Sequence, residues 1–395
     1  MSLLLLAALW VHLLSCVLLV GAFFTLLLAG PPVRPFARRW EETVVARSRM
    51  LVLAAIGSGI VWLLVRTAVF EGRSQAALEP RAVWHAVLDT RPGLVWLARH
   101  GLLIVLAAFL SIRLGVAETR NWIAARGEAL VLSTLALALV SGSSHAAAVA
   151  ELTRLSIVSD VAHLLATGVW MGGLVLLALL LRAASRERVA SRDEEADGHC
   201  HAAVVARRFS RFALVAMIVL ITSGVVNAIV QVESMAGLVG TTHGRLLLAK
   251  LAVLVPILVL AVVNRTHVLP ALSDPRLFRR LAAFVALEAL LALVLLGLAA
   301  AMTLTTPAHH APPVWPLPFR FSLDALLDGP AMRWRALLGG QLAVLGAVAL
   351  LVSLVVRRRR APVLAGALAL VAVGAGLVFL RSWSTRIRRR IGGRR

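Results

Sequence analysis

The stretch Asp160-Val161-Ala162-His163-Leu164-Leu165-Ala166-Thr167-Gly168-Val169-Trp170-Met171-Gly172-Gly173 lies inside an apolar run from about Ile157 to Leu181. That run is long enough to cross a bilayer as one helix, because a hydrocarbon core takes roughly 20 apolar residues. It nevertheless carries a carboxylate and an imidazole one helical turn apart. Ionisable groups inside a membrane helix must be satisfied by partners or serve a function.

The stretch has an earlier echo. Val11-His12-Leu13-Leu14 and Gly21 align with Ala162-His163-Leu164-Leu165 and Gly172 at a constant offset, and the same offset carries Thr90, Gly93 and Arg99 onto Thr241, Gly244 and Lys250. Leu matches in Leu-rich helices count for little, but a shared offset across distant segments points to a duplicated chain.

Working outward, hydrophobic residues make up 60% of the 395 and the mean hydropathy is +0.89. At least eight runs in all reach spanning length, and no alternating strand pattern of the barrel kind occurs, so the expected fold is all-α: a polytopic helical membrane protein. The net charge of +22 would suggest nucleic acid in a soluble protein. Here the Arg residues fall between apolar spans, which reads as positive-inside loops, and no nucleic-acid partner is expected. The two cysteines, Cys16 and Cys200, form no disulfide framework. Residues 3–29 read as a retained first helix rather than a cleaved signal.

Helices are expected near 3–29, 50–70, 94–116, 128–144, 157–181, 212–232, 246–264, 282–303, 337–356 and 362–380. Arg clusters follow the odd-numbered ones, which places those loops in the cytoplasm and the N-terminus on the outer side of the membrane. Four helices per repeat return the chain to the same side, so the repeats should be parallel copies with a site between them. The expected domains are a first four-helix repeat (1–150), a second (151–310), a Pro-rich external segment (311–336), and a two-helix appendix with an Arg-rich tail (337–395).

With this topology His12, His100, His145, His163, His309 and His310 gather in the outer half of their helices or just beyond, with His85 and His243 in outer loops. Imidazoles from several helices at one depth suit a metal site, and thioether sulfur favours Cu(I) over harder ions. The candidate ligands are His12, His145, His163, His309 and Met302, with Asp160 beside His163. Asp160 and His163 share a face. The spacing admits a carboxylate orienting a ligating imidazole or a pair that only satisfies itself. Met171 reads as packing or a deeper soft ligand. His199-Cys200-His201 is expected in the loop after the fifth helix, where a thiolate between imidazoles could pass on Cu(I) or be incidental. No Walker loop, dinucleotide turn, Cys-x-x-Cys or nucleophile elbow is present, so no enzyme and no ATP-driven pump is expected.

At Ser144-His145-Ala146, Asp160…His163-Leu164-Leu165…Trp170-Met171-Gly172-Gly173, Arg208-Phe209-Ser210-Arg211-Phe212, Thr222-Ser223-Gly224-Val225-Val226-Asn227-Ala228, Thr242-His243-Gly244-Arg245-Leu246-Leu247-Leu248-Ala249-Lys250, and Asn264-Arg265 with Leu269-Pro270, the chain resembles the copper resistance protein D family of bacterial inner-membrane proteins. The resemblance covers roughly residues 1–320. It implies a multi-helix protein that moves copper ions across the inner membrane toward the cytoplasm, alongside a periplasmic copper-binding protein and within membrane lipid. A haem- or porphyrin-linked redox protein and a scaffold for a copper or oxidase-assembly complex are the competing readings. The helix from His163 to Gly173 is similar to that of membrane protoporphyrinogen oxidases, but those carry a Tyr-His element and this chain has no Tyr.

Overall fold

A computed structural model describes residues 2–112, 119–143, 153–186, 192–232, 234–272, 274–312 and 314, with scattered positions between 338 and 373. Among the described residues the regular structure is helical throughout, without strands. Among the described residues eight helical segments are long and apolar enough to cross a membrane.

The first is α1 (Ser2–Ala29), followed by α2 (Pro35–Phe70), the short α3 (Pro80–Leu88), α4 (Arg91–Ile112) and α5 (Thr119–Ala138). The central stretch of the sequence becomes α6 (Thr153–Thr167), a π-helical turn over Gly168–Gly172, and α7 (Gly173–Arg186). Then come α8 (Arg192–Val232), α9 (Met235–Gly240), α10 (Thr242–Val263), a second π turn over Asn264–Val268, and α11 (Pro275–Thr303). The helices fall into two compact units, one of Met1–Leu220 with His267–Leu304 and the other of Ile221–Thr266 with Thr305–Arg395.

In the first unit α1 is the hub. It is apolar on every side, as a helix surrounded by others must be, and Leu19, Phe23, Val17 and Ala22 are buried. It packs against α2, α5, the Gly168–Gly172 turn, α7 and α11. The approach to that turn is close because glycine faces glycine: a Cβ on Gly21 would strike the backbone of Gly172, and one on Gly172 would strike the Val17 carbonyl. These two glycines are partners under the offset seen in the sequence. Small residues at such contacts let backbones meet where lipid offers no hydrophobic drive for association.

At one end of the unit α2 and α5 are joined by a buried cluster. Trp122 Nε1 donates to Glu41 Oε1 at 2.7 Å, Arg126 Nε donates to the same oxygen at 2.9 Å, and Arg126 Nη2 also reaches it. The guanidinium lies over the Trp122 ring, 5.1 Å from its centroid. Glu41 and Arg126 are both almost fully buried, so each depends on the other.

In the second unit α9 and α10 meet at Thr241. Its hydroxyl accepts from Gly244 N at 3.0 Å and donates to the Gly237 carbonyl at 2.6 Å. The first unit has the same device at its own α3–α4 corner, where Thr90 Oγ1 accepts from Gly93 N at 3.0 Å and donates to Ala86 O at 2.6 Å. In both corners a Cβ on the glycine would collide with carbonyl oxygens of the preceding short helix. The Thr and Gly matches of the sequence thus mark one local structure used twice.

Several expectations need correction. α2 begins at Pro35, because the charged segment from Arg38 to Arg49 continues the helix beyond the apolar run. The expected outer loop 71–93 contains a 3-10 turn (Ser74–Leu78) and α3, which carries His85. His199, Cys200 and His201 lie on α8, which begins at Arg192 rather than near 212, so they occupy a helix and not a loop. His145 and most of the expected appendix lie outside the described residues.

Candidate metal centre

In the first unit α1, α2 and α4 bring His12, Cys16, Arg99 and His100 near one another. His12, on α1, is 1% exposed, and its Nδ1 lies 2.8 Å from the Ala55 carbonyl of α2. A carbonyl can only accept, so the ring proton belongs on Nδ1 and Nε2 presents a lone pair. One turn further along α1, the Cys16 thiol points at that Nε2 from 3.9 Å. His100, on α4, has its Nδ1 2.9 Å from Trp96 O, and the backbone of Ile56 on α2 acts on the same ring.

The two imidazoles face one another, with ring centroids 5.9 Å apart and planes within 16°. Trp96 stacks on the far side of His100 at 3.9 Å and donates Nε1–H to the Gly59 carbonyl at 2.8 Å. Gly59 makes the room. A Cβ there would run into His100 Nε2 and lie 3.1 Å from His12 Nδ1. Beside the cluster the Arg99 guanidinium is 5% exposed; its Nε has no hydrogen-bond partner, and it acts electrostatically on both His12 and Cys16.

The remaining expected residues are spread out. Asp160 and His163 are on α6, partly buried, on the N-terminal side of the π turn, and both have further interactions. Thr167 Oγ1 donates to the His163 carbonyl at 2.7 Å, tying the helix just before the turn. Met302 is buried near the C-terminal end of α11. His309 lies in a 3-10 turn, Ala308–His310, of the second unit. In that unit His243 is buried at the start of α10, with Nδ1 3.0 Å from Thr305 Oγ1. Among the described residues no three His, Cys, Asp or Glu side chains already enclose a point where an ion would sit.

Among the described residues His12 stands beside Cys16 and His100, which were not among the expected ligands. Two signals pointed to them. Cys16 is four residues from His12, one helical turn, and Arg99-His100 is a charged and titratable pair inside an apolar run.

A helical bundle whose buried interior holds imidazole and thiol side chains, with the His12 tautomer set by a backbone carbonyl, defines the class: a polytopic membrane protein with polar side chains packed inside it. The family follows from comparison. The family model described as copper resistance protein D-like, N-terminal domain, matches residues 1–155, and that described as copper resistance protein D matches residues 202–302. Copper resistance protein D of Pseudomonas syringae pv. tomato is 32% identical over 298 residues, covering 71% of this chain and 90% of that protein. The copper transport protein CutJ of Bacillus subtilis (strain 168) is 28% identical over 229 residues, covering 57% of this chain and only 40% of the length of that relative. The chain belongs to the copper resistance protein D family. No solved structure matches it.

Proposed function

We propose that this protein carries copper ions across the bacterial inner membrane from the periplasm to the cytoplasm. The observation that supports this most directly is His12: an imidazole buried within a membrane helix, its tautomer fixed by a backbone carbonyl, in a chain of the copper resistance protein D family. A carbonyl holding the far ring nitrogen is the usual support of a metal-ligating histidine. In this reading outer histidines, His145 and His309 among them with Met302, collect the ion. His12 and the Asp160–His163 pair then pass it inward through the two repeats. A periplasmic copper-binding protein delivers it. The membrane potential favours cation entry by about 2.3 kcal/mol per charge per 100 mV, so uptake needs no ATP.

The test is copper accumulation in vesicles containing the purified protein. Wild type should load copper when the interior is negative, and His12→Ala should lose most of that uptake while remaining folded. Uptake that is equal in His12→Ala and wild type would remove His12 from the path. An empty-vesicle rate for wild type would remove transport altogether.

A further inference from the structure

We propose that the groove between α1, α6 and α8 holds one acyl chain of an anionic phospholipid, whose phosphate sits against Arg208 and Arg211. The groove lies wholly within the first unit and is separate from the buried polar side chains described above.

Its lining is apolar throughout. Phe24 of α1, Leu165 of α6 and Phe212, Val215 and Val219 of α8 surround a cavity of about 330 Å³, within the range of small-molecule sites, about 300–1,000 Å³. Ala166 and Ala216, both buried, make the room at its floor. Phe24 and Phe212 meet edge to face, with ring centroids 5.5 Å apart, at the end next to the arginines. One side is open: Phe212 is 50% exposed and Val215 60%. On a helix that crosses a membrane this open side meets hydrocarbon. An empty groove would forfeit the dispersion contacts of its lining, and an acyl chain restores them.

The charges select the lipid. On α8 Arg208, Phe212, Val215 and Val219 follow one another at steps of four, three and four, and Arg211 precedes Val215 by four, so both arginines continue the stripe that lines the groove. No acidic residue occurs from Gly198 to Val232, and the uncharged part of the helix begins at Phe212. The two cations therefore stand where the apolar span starts, at the depth of phosphates. Arg208 is held there, its Nη1 donating to the last carbonyls of α1, Leu28 O at 2.9 Å and Ala29 O at 3.3 Å. Asp197, further back on α8, is paired with Arg34 at 2.8 Å. Guanidinium groups suit phosphate oxygens. A zwitterionic headgroup would bring a cation of its own toward the same arginines, so an anionic one is favoured. The length agrees too: α8 rises about 12 Å from Arg211 to Val219, and one leaflet of hydrocarbon is roughly 15 Å, half of the core.

The experiment uses the full-length protein in detergent, with phosphatidylglycerol and phosphatidylcholine of identical chains as probes, and reads retained lipid by native mass spectrometry. Wild type should keep one phosphatidylglycerol with a preference of about thirtyfold over phosphatidylcholine; Arg211→Gln should reduce that preference about fivefold, and Arg208→Gln/Arg211→Gln should abolish it. Val215→Trp, at an exposed rim position, should cover the groove and lose both lipids, whereas Val215→Ala should bind as wild type does. Each variant is checked for folding by its thermal transition. Equal retention of the two lipids by wild type overturns the proposal, as does a preference unchanged in the double arginine variant. Retention untouched by Val215→Trp places the lipid elsewhere and overturns the groove. A lipid-free dimer that Val215→Trp dissociates shows that a second copy covers this face, and overturns it equally. Copper uptake enters none of these readings, so they stand or fall apart from the function proposed above.

Discussion

At the scale of single residues, Glu41 shows how dependent a buried charge is on its partners. One carboxylate oxygen receives Trp122 Nε1–H and two guanidinium N–H groups of Arg126, all out of reach of water. Truncating one member strands the others, and breaking such a pair costs about 3–5 kcal/mol. Glu41→Ala should therefore lower the unfolding free energy in detergent by that order. The double variant Glu41→Ala/Arg126→Ala should recover part of the loss, because no charge is then left alone. Additive losses would show that the two side chains do not depend on each other. The sequence did not reveal this contact: Glu41 and Arg126 look like ordinary members of charged loops, and only the extension of α2 back to Pro35 brings Glu41 into the helix.

Other single residues were legible only in part. His12 stood out because an imidazole in an apolar run has few innocent explanations. Cys16 did not, since a free cysteine is an ordinary small apolar residue in a core. Its contact with His12 Nε2, at 3.9 Å, is one that no spacing rule supplies on its own. His100 is revealed by geometry of the same kind, through the carbonyl of Trp96 and the gap left by Gly59.

Among elements, the two Thr-capped corners are the clearest case of sequence and structure agreeing. Thr90 and Thr241 each cap the first turn of a membrane helix while holding the end of the short helix before it. A hydroxyl that only satisfied helix N–H groups would contribute about 1 kcal/mol. Thr90→Val and Thr241→Val should each destabilise the protein by about that amount, read from detergent unfolding midpoints, with Thr→Ser at either position close to neutral. Helix cores were readable because apolar length is a strong signal. Helix ends were not: α2 and α8 extend through charged sequence, which hydropathy alone assigns to loops. The amphipathic α3 was hidden for the same reason. Its nine residues include Trp84, strongly exposed, and a membrane–water interface accommodates such a ring.

For the whole molecule the question is orientation. The Arg-rich segments follow α1, α4, α7 and the Asn264–Val268 turn, and counting helices from an outside N-terminus puts all of them on the cytoplasmic side. Cys200 is exposed and Cys16 is buried. A membrane-impermeant maleimide should therefore label Cys200 in inside-out vesicles, leave it untouched in intact spheroplasts, and spare Cys16 in both. Labelling from the periplasmic side would invert the topology and with it the direction of transport proposed here. The class of fold was legible because lipid permits so few ways to satisfy a backbone. The neighbourhood of His12, Cys16, Arg99 and His100 was not, since it is assembled by packing between helices far apart in the chain.

The π turn over Gly168–Gly172 has a consequence for how the central helix is wired. A π turn accommodates one residue more than an α-helical turn does, and one residue corresponds to about 100° of rotation. The face bearing Asp160 and His163 is thereby rotated out of phase with the face of α7 that packs against α1 and α11. The junction uncouples two azimuths that a continuous α-helix would lock together. One face can remain fixed in the bundle while the polar pair is aimed independently, so a single residue gained or lost at this junction would redirect His163 without altering any side chain around it.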